Sequence, residues 1–200
     1  MEFSMNLVER IKNILLNPTT EWETIKKEDH MISDLFTKYA LKLAAIPAIS
    51  GFIGFTLFGV SYGFGSYRPG FGANLKWAIS MYVMSIIGVY VLAYIIDVLA
   101  PTFDSKKHLP TSMKVVVFAY TAAWVGGIFS LIPALAILGA IASIYSLVLL
   151  YKGLQIIKEV PQNKMVGYFV ATIIASLIVY GVTGAIITRI AFSGRPMLPM

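Results

Sequence analysis

Two hundred residues would suffice for one or two soluble domains, but 58% of them are hydrophobic, only 13% are charged, and the mean hydropathy is +0.77. Soluble domains carry about 45 to 50% apolar and about 25% charged residues, so this composition describes a membrane protein. The absence of cysteine excludes disulfides, thiol nucleophiles, iron–sulfur clusters and thiolate zinc sites, and the net charge of +6 has to be read by position.

Residues 1–38 are polar and charged and lack a short basic region leading into an apolar one, so no cleavable signal peptide is expected and the first apolar run acts as the insertion signal. Leu7, Ile11, Ile14 and Leu15 share one helical face, while Glu9, Arg10, Lys12 and Asn13 fall elsewhere, which is the pattern of an amphipathic helix. Asn17-Pro18 ends it. Thr20 with Glu23 three residues on reads as a capping box opening a second short helix, whose apolar side is Trp22 and Ile25. An interfacial pair of helices on the inner leaflet, carrying Leu7, Arg10, Ile11, Lys12 and Trp22, is preferred to a packed cytoplasmic cap, and the two are compatible.

A bilayer core about 30 Å thick requires roughly 20 apolar residues in a helix. Five such runs lie at about residues 40–62, 77–100, 115–132, 134–151 and 165–188, forming a transmembrane domain over residues 39–190 before a short external tail, 191–200. The third and fourth meet at Pro133 and are expected to form a helical hairpin turning at Ser130 to Pro133. None alternates like a barrel strand, so the fold class is all-α, a bundle of five transmembrane helices with one or two short amphipathic N-terminal helices. Twelve of the sixteen Lys and Arg fall on the N-terminal side of this topology, in the N-terminal region and the loops after spans two and four. The positive-inside rule then places the N-terminus in the cytoplasm and the C-terminus outside a plasma (inner) membrane.

Gly59-Val60-Ser61-Tyr62-Gly63 matches the nucleophile-elbow pattern of serine hydrolases, but that motif needs a strand-to-helix turn and a histidine base. Here it ends a membrane span, and both histidines, His30 and His108, belong to cytoplasmic segments as solvated loop residues. Gly59 and Gly63 read better as a small-residue packing pair. The glycine-rich loop 63–72 lacks the lysine of a phosphate loop, and its aromatics, with Trp77 and Tyr82, read as an interfacial belt. No metal-ligand cluster, cofactor motif or nucleic-acid-reading surface is present in the sequence, so no metal, cofactor or nucleic acid is expected.

Ionisable residues in or beside spans are candidates by default. Asp97, one turn before Pro101, either pairs with Lys114, Lys152 or Lys164 to fix helix docking or takes part in an ion or proton path, the first being preferred. Thr172, Ser176, Tyr180 and Gly184 recur every four residues on span five, small residues Ala136, Gly139, Ala140 and Ser143 share a face of span four, and both sets read first as helix-packing faces.

Asp97-Val98-Leu99-Ala100-Pro101-Thr102-Phe103, then Tyr120-Thr121-Ala122-Ala123-Trp124, Ile128 to Pro133 and Tyr145 to Gly153 resemble the Yip family of Rab-interacting membrane proteins, in its prokaryotic branch. Asn17-Pro18 with Trp22 fits the same branch. The resemblance implies five spans, a cytoplasmic N-terminus and an external C-terminus. Ala122 stands where relatives often carry proline, which puts a kink of span three in doubt. Eukaryotic members bind Rab-type GTPases through cytoplasmic regions, but no residue motif here carries that activity over.

The expectation is a non-enzymatic integral membrane protein that organises membrane partners or lipids, with the bilayer, other membrane proteins or a homo-oligomer as its partners. The alternative is a small transporter or ion-conducting oligomer using Asp97 and the polar stripe of span five. Candidate functional or helix-docking residues are Asp97, Pro101, Tyr120, Trp124, Thr172, Ser176 and Tyr180.

Overall fold

A computed structural model describes residues 6–62 and 65–192. Two short helices, α1 (Leu7–Leu16) and α2 (Pro18–Lys27), precede five long ones: α3 (Ile32–Phe58), α4 (Phe71–Phe103), α5 (Leu109–Leu131), α6 (Ala136–Ile156) and α7 (Gln162–Phe192). All five are long and apolar enough to cross a bilayer. They run alternately, so α1 and α2 sit at one end with the α4–α5 and α6–α7 loops, here the cap end. The other, the hairpin end, carries the α3–α4 and α5–α6 connections.

The α1 helix opens on Asn6, whose side-chain oxygen accepts the Val8 N–H, and stops at Asn17. Asn17 is also the cap of α2, with Pro18 in the first turn, where its missing N–H and fixed φ cost nothing. The expected capping box does not form. Thr20 already lies inside the helix, its carbonyl accepting the Thr24 hydroxyl, because proline starts the helix two residues earlier.

The α3 helix begins near residue 32, and a π-helical turn at Leu35–Ala40 brings Leu35, Tyr39 and Ala40 into the core. It stops at Phe58, short of the expected residue 62, because Gly59 takes φ 75°, a conformation that glycine adopts without steric cost. Gly59 is therefore a helix terminator. Gly63, its expected packing partner, lies outside the described residues. Two three-residue strands, β1 (Val60–Tyr62) and β2 (Gly65–Tyr67), then pair antiparallel as a small hairpin between α3 and α4.

Helix α5 breaks at Tyr120 despite the absence of proline. The Ala123 N–H donates to Ser146 Oγ of α6 at 2.9 Å, so a hydroxyl from the neighbouring helix holds the break that proline would otherwise impose. The α5–α6 turn passes through 3-10 turns at Gly127–Leu131 and Pro133–Leu135, which is the expected hairpin.

Close approach of backbones sets the packing at the hairpin end. A Cβ on Gly54 would stand 2.1 Å from the Ser130 carbonyl oxygen, and one on Gly127 2.5 Å from Pro47 Cβ. Of the expected face on α6 only Gly139 packs: Ala136, Ala140 and Ser143 are exposed, while Gly139 and Ala142 meet Gly126 of α5 and Ser146 is buried. Trp77 packs edge-on against Phe55, and the Tyr82 hydroxyl donates to the Leu41 carbonyl, so both turn into the bundle instead of forming an outward belt.

Candidate functional site

Three arrangements carry the polar chemistry of the molecule. The first lies beneath α1 and α2. Arg10, assigned by periodicity to the polar face, is 1% exposed. Its guanidinium donates to Glu21 Oε1 and to both oxygens of Glu28, at 2.5 and 2.7 Å, and lies 5.7 Å from the centroid of the Phe118 ring. A helical wheel cannot foresee this, because the face that is polar toward water is here covered by Glu21 and by α5. Trp22 and Tyr39 pack edge-on against the same phenyl ring, and the Tyr39 hydroxyl bonds Thr121 Oγ1 at 2.8 Å.

His30 is buried rather than solvated, with Nε2 2.8 Å from Glu28 Oε2. Burial pushes its pKa below the ordinary histidine value, against the opposing pull of Glu28. The Lys114 ammonium donates to the carbonyls of Ile25 and Glu28, closing α2 onto α5. The Tyr145 hydroxyl donates to the Leu15 carbonyl at 2.8 Å and ties α1 to α6. Helices α1 and α2 thus form a packed cap, with Leu7, Ile11 and Ile14 facing protein and Lys12, Val8 and Leu16 facing outward.

The second arrangement surrounds Asp97. Its Oδ1 accepts the His108 backbone N–H at 2.7 Å and the Ser112 hydroxyl at 2.9 Å, and lies 3.6 Å from the Lys158 ammonium. The partner is therefore Lys158, not the expected Lys114, Lys152 or Lys164. Lys114 is held by α2, Lys152 donates to Thr19 Oγ1, and Lys164 pairs with Asp104. Lys158 also donates to the Lys106 carbonyl and to Ser112 Oγ, and its own carbonyl accepts the Ser105 hydroxyl.

Both charged side chains are almost fully buried. Burial lowers the Lys158 pKa from the ordinary lysine value, and Asp97 opposes that shift. Asp104 and Glu159, both in the left-handed region, shape the two loops over this pair. A shallow polar cavity of about 280 Å³ between those loops is lined by His108, Lys106 and Lys158 among others. Pro101 initiates the 3-10 turn that ends α4, and Phe103 stacks on Tyr168 of α7.

The third arrangement is a cavity of about 380 Å³ inside the spans, toward the hairpin end, bounded by all five long helices. Tyr120 and Tyr180 stack across it, ring centroids 6.2 Å apart, and Trp124 donates its indole N–H to Ser85 Oγ at 3.1 Å. The stripe on α7 divides at this depth. Thr172 and Ser176 are buried against α4 with their hydroxyls bonded to α7 carbonyls, whereas Tyr180 and Gly184 line the cavity and are exposed at its mouth. Tyr120, Trp124 and Tyr180 are thus brought together, while Asp97, Pro101, Thr172 and Ser176 lie nearer the cap end.

Among the described residues no group of three or more His, Cys, Asp or Glu is placed to hold a metal ion. Glu21, Glu28, Lys158 and Ser112 escaped the sequence reading, since nothing local marks a residue whose partner is 11 or 46 positions away.

An all-α bundle of five apolar helices closed at one end by buried ion pairs is a polytopic membrane protein. The chain belongs to the Yip1 domain family, whose model matches residues 12–184. It is similar to the inner membrane protein YohC of Escherichia coli strain K12, 26% identical over 167 residues that cover 82% of this chain and 86% of the relative, and equally to the YohC of E. coli O6:H1. No solved structure matches.

Proposed function

We propose that this chain is a non-enzymatic, multi-pass protein of a bacterial-type inner membrane that organises lipids or other membrane proteins through its cap and its outward helical faces. The observation carrying this reading is how the charges are used. Asp97 and Lys158, and Arg10 with Glu21 and Glu28, are consumed in docking the cap and loops onto the bundle. A buried pair so enclosed by its own hydrogen bonds specifies geometry, which favours docking over catalysis as its role. The transport reading loses support on the same ground, since Asp97 Oδ1 is held by His108, Ser112 and Lys158 and the cavity in the spans has no charged lining residue.

Photocrosslinking from Val8, Lys12 and Leu16 on the outer face of α1, in native membranes, tests the proposal. Discrete adducts support it. Their absence at all three positions, together with ion flux in proteoliposomes that Asp97→Asn abolishes, would replace it with transport.

The topology proposed with it has a cytoplasmic N-terminus and an external C-terminus, supported by the distribution of Lys and Arg. The natural absence of cysteine allows a direct check with Gly70→Cys and Lys107→Cys, both at exposed positions. An impermeant thiol reagent applied from outside should label position 70 and spare 107, and the reverse pattern would invert the topology.

A further inference from the structure

We infer that the cavity at the hairpin end is a binding site for one acyl chain of a bilayer phospholipid. Its position supplies the first argument. The lining residues lie within the five spans, and at its mouth Tyr180, Gly184 and Ser143 are exposed, so the space communicates sideways with whatever surrounds the helices at that depth. In a membrane that medium is hydrocarbon. A volume of about 380 Å³ is within the range of small-molecule pockets.

Hydrogen-bond accounting supplies the second. The lining contains several hydroxyls, which at the level of sequence suggest a polar path. In the fold the protons of Ser143, Thr183 and Thr188 are donated to carbonyls of their own helices, those of Gly139, Val179 and Gly184, and the Trp124 indole N–H is donated to Ser85. No Asp, Glu, Lys, Arg or His lines the space. An ion would have to leave its hydration shell for a lining without charge whose Ser143, Thr183 and Thr188 protons are already donated, which is costly, whereas a hydrocarbon chain requires no donors. The cavity is therefore uncharged while built partly from polar residues.

A third feature fixes the shape. Gly184 lines the space, and a Cβ built there meets no heavy atom within 4 Å. Nothing from the protein fills that volume. The stacked Tyr120 and Tyr180 rings form a flat wall, against which a flexible chain packs without ordering further side chains.

The inference deepens the proposal that the protein organises lipids or partners and rests on it, but the two fail separately. The probe is phosphatidylcholine with one brominated acyl chain, reconstituted with a Trp22→Phe/Trp77→Phe background in which Trp124 is the only tryptophan and phenylalanine keeps an aromatic ring at position 77 of the lining. Trp124 lines the cavity and is buried, so a brominated chain seated in the cavity lies closest to it. Quenching is expected in the background, falling about twofold or more when Gly184→Leu or Thr183→Leu narrows the space. Gly181→Leu, on the same helix but outside the lining, should leave it unchanged.

No quenching in the background, or equal quenching in all variants, would overturn the inference. Quenching that disappears as protein density in the bilayer rises would assign the cavity to a second copy of this chain and overturn it as well. Neither result would alter the crosslinking pattern at the cap.

Discussion

At the cap end, Arg10, Glu21, Glu28 and Lys114 fasten α1 and α2, and Asp97 with Lys158 joins the α4–α5 and α6–α7 loops, all of them buried except the half-buried Glu28. At the hairpin end, no ion pair holds the helices among the described residues. Contact there depends on Gly54, Gly126 and Gly127, where backbones touch, and on a neutral bond from the Asn74 amide to Thr56 Oγ1. The difference follows depth and partner. Near the interface, cap segments rich in charge are covered by other segments rich in charge, so buried ions meet a counter-ion or, for Lys114, backbone carbonyls. Toward the hairpin, apolar helices have no hydrophobic drive to associate in lipid and rely on close packing of small residues, which α7 leaves incomplete.

The largest effect should come from breaking the charged end. Arg10→Ala leaves two carboxylates beneath the cap without their cation and is expected to cost about 3 to 5 kcal/mol, read as a lowered unfolding midpoint in detergent with early loss of Trp22 fluorescence order. Removal of the whole cluster as Arg10→Met with Glu21→Gln and Glu28→Gln should cost much less, because no unpaired charge remains. A full-sized loss in the triple variant would show that the ions hold the cap through packing alone.

Asp97→Asn keeps an acceptor for the His108 N–H and Ser112 but strands Lys158, for an expected loss of about 2 kcal/mol at neutral pH. The pH dependence has a definite sign. Because burial lowers the folded pKa of Lys158, the unfolded chain binds the extra proton between that value and the ordinary lysine pKa, and stability rises with pH across this window. Loss of Asp97 lowers the folded value further. The deficit of the variant relative to the natural chain should therefore shrink as pH is raised from neutrality toward 10.5.

At the hairpin end, Gly54→Ala pushes a methyl group into the Ser130 carbonyl and should cost about 1 to 3 kcal/mol, whereas Gly184→Leu, facing open space, should leave the melting midpoint near the natural value. Equal costs would mean that α7 closes over the cavity. The smallest effect concerns His30. Its folded pKa is lowered by burial, with Lys114 and Arg10 adding to the shift and Glu28 opposing it. The stabilisation is present above the ordinary value of 6.5 and is lost as pH falls through the folded pKa. Hydrogen exchange of α1 and α2 should accelerate modestly on acidification below that value, and His30→Gln should flatten the response.

Particular residues mark the boundary between what was readable and what was not. The five apolar runs, the stop at Asn17-Pro18 and the turn around Pro133 stand in the fold because each depends on local properties, namely length against bilayer thickness and proline's missing N–H. Arg10 and His30 were misplaced because a helical wheel sorts residues by polarity and cannot see a counter-charge arriving from α2. Thr20 was misplaced because two start signals competed and Pro18 came first. The break at Tyr120 was doubted for want of a proline, and Ser146 of another helix supplied the missing constraint.

Membership of the membrane class, the number of spans and the family resemblance were determined by the amino-acid sequence, since hydropathy and motif identity are sums over neighbouring residues. The tertiary structure decided that Asp97 meets Lys158, that one stripe of α7 is packed at Thr172 and open at Gly184, and that the cavity between the spans is lined by hydroxyls and apolar groups without a charge. Those outcomes depend on which helix faces which, and on where each proton is already spent, and neither quantity exists until the helices have docked.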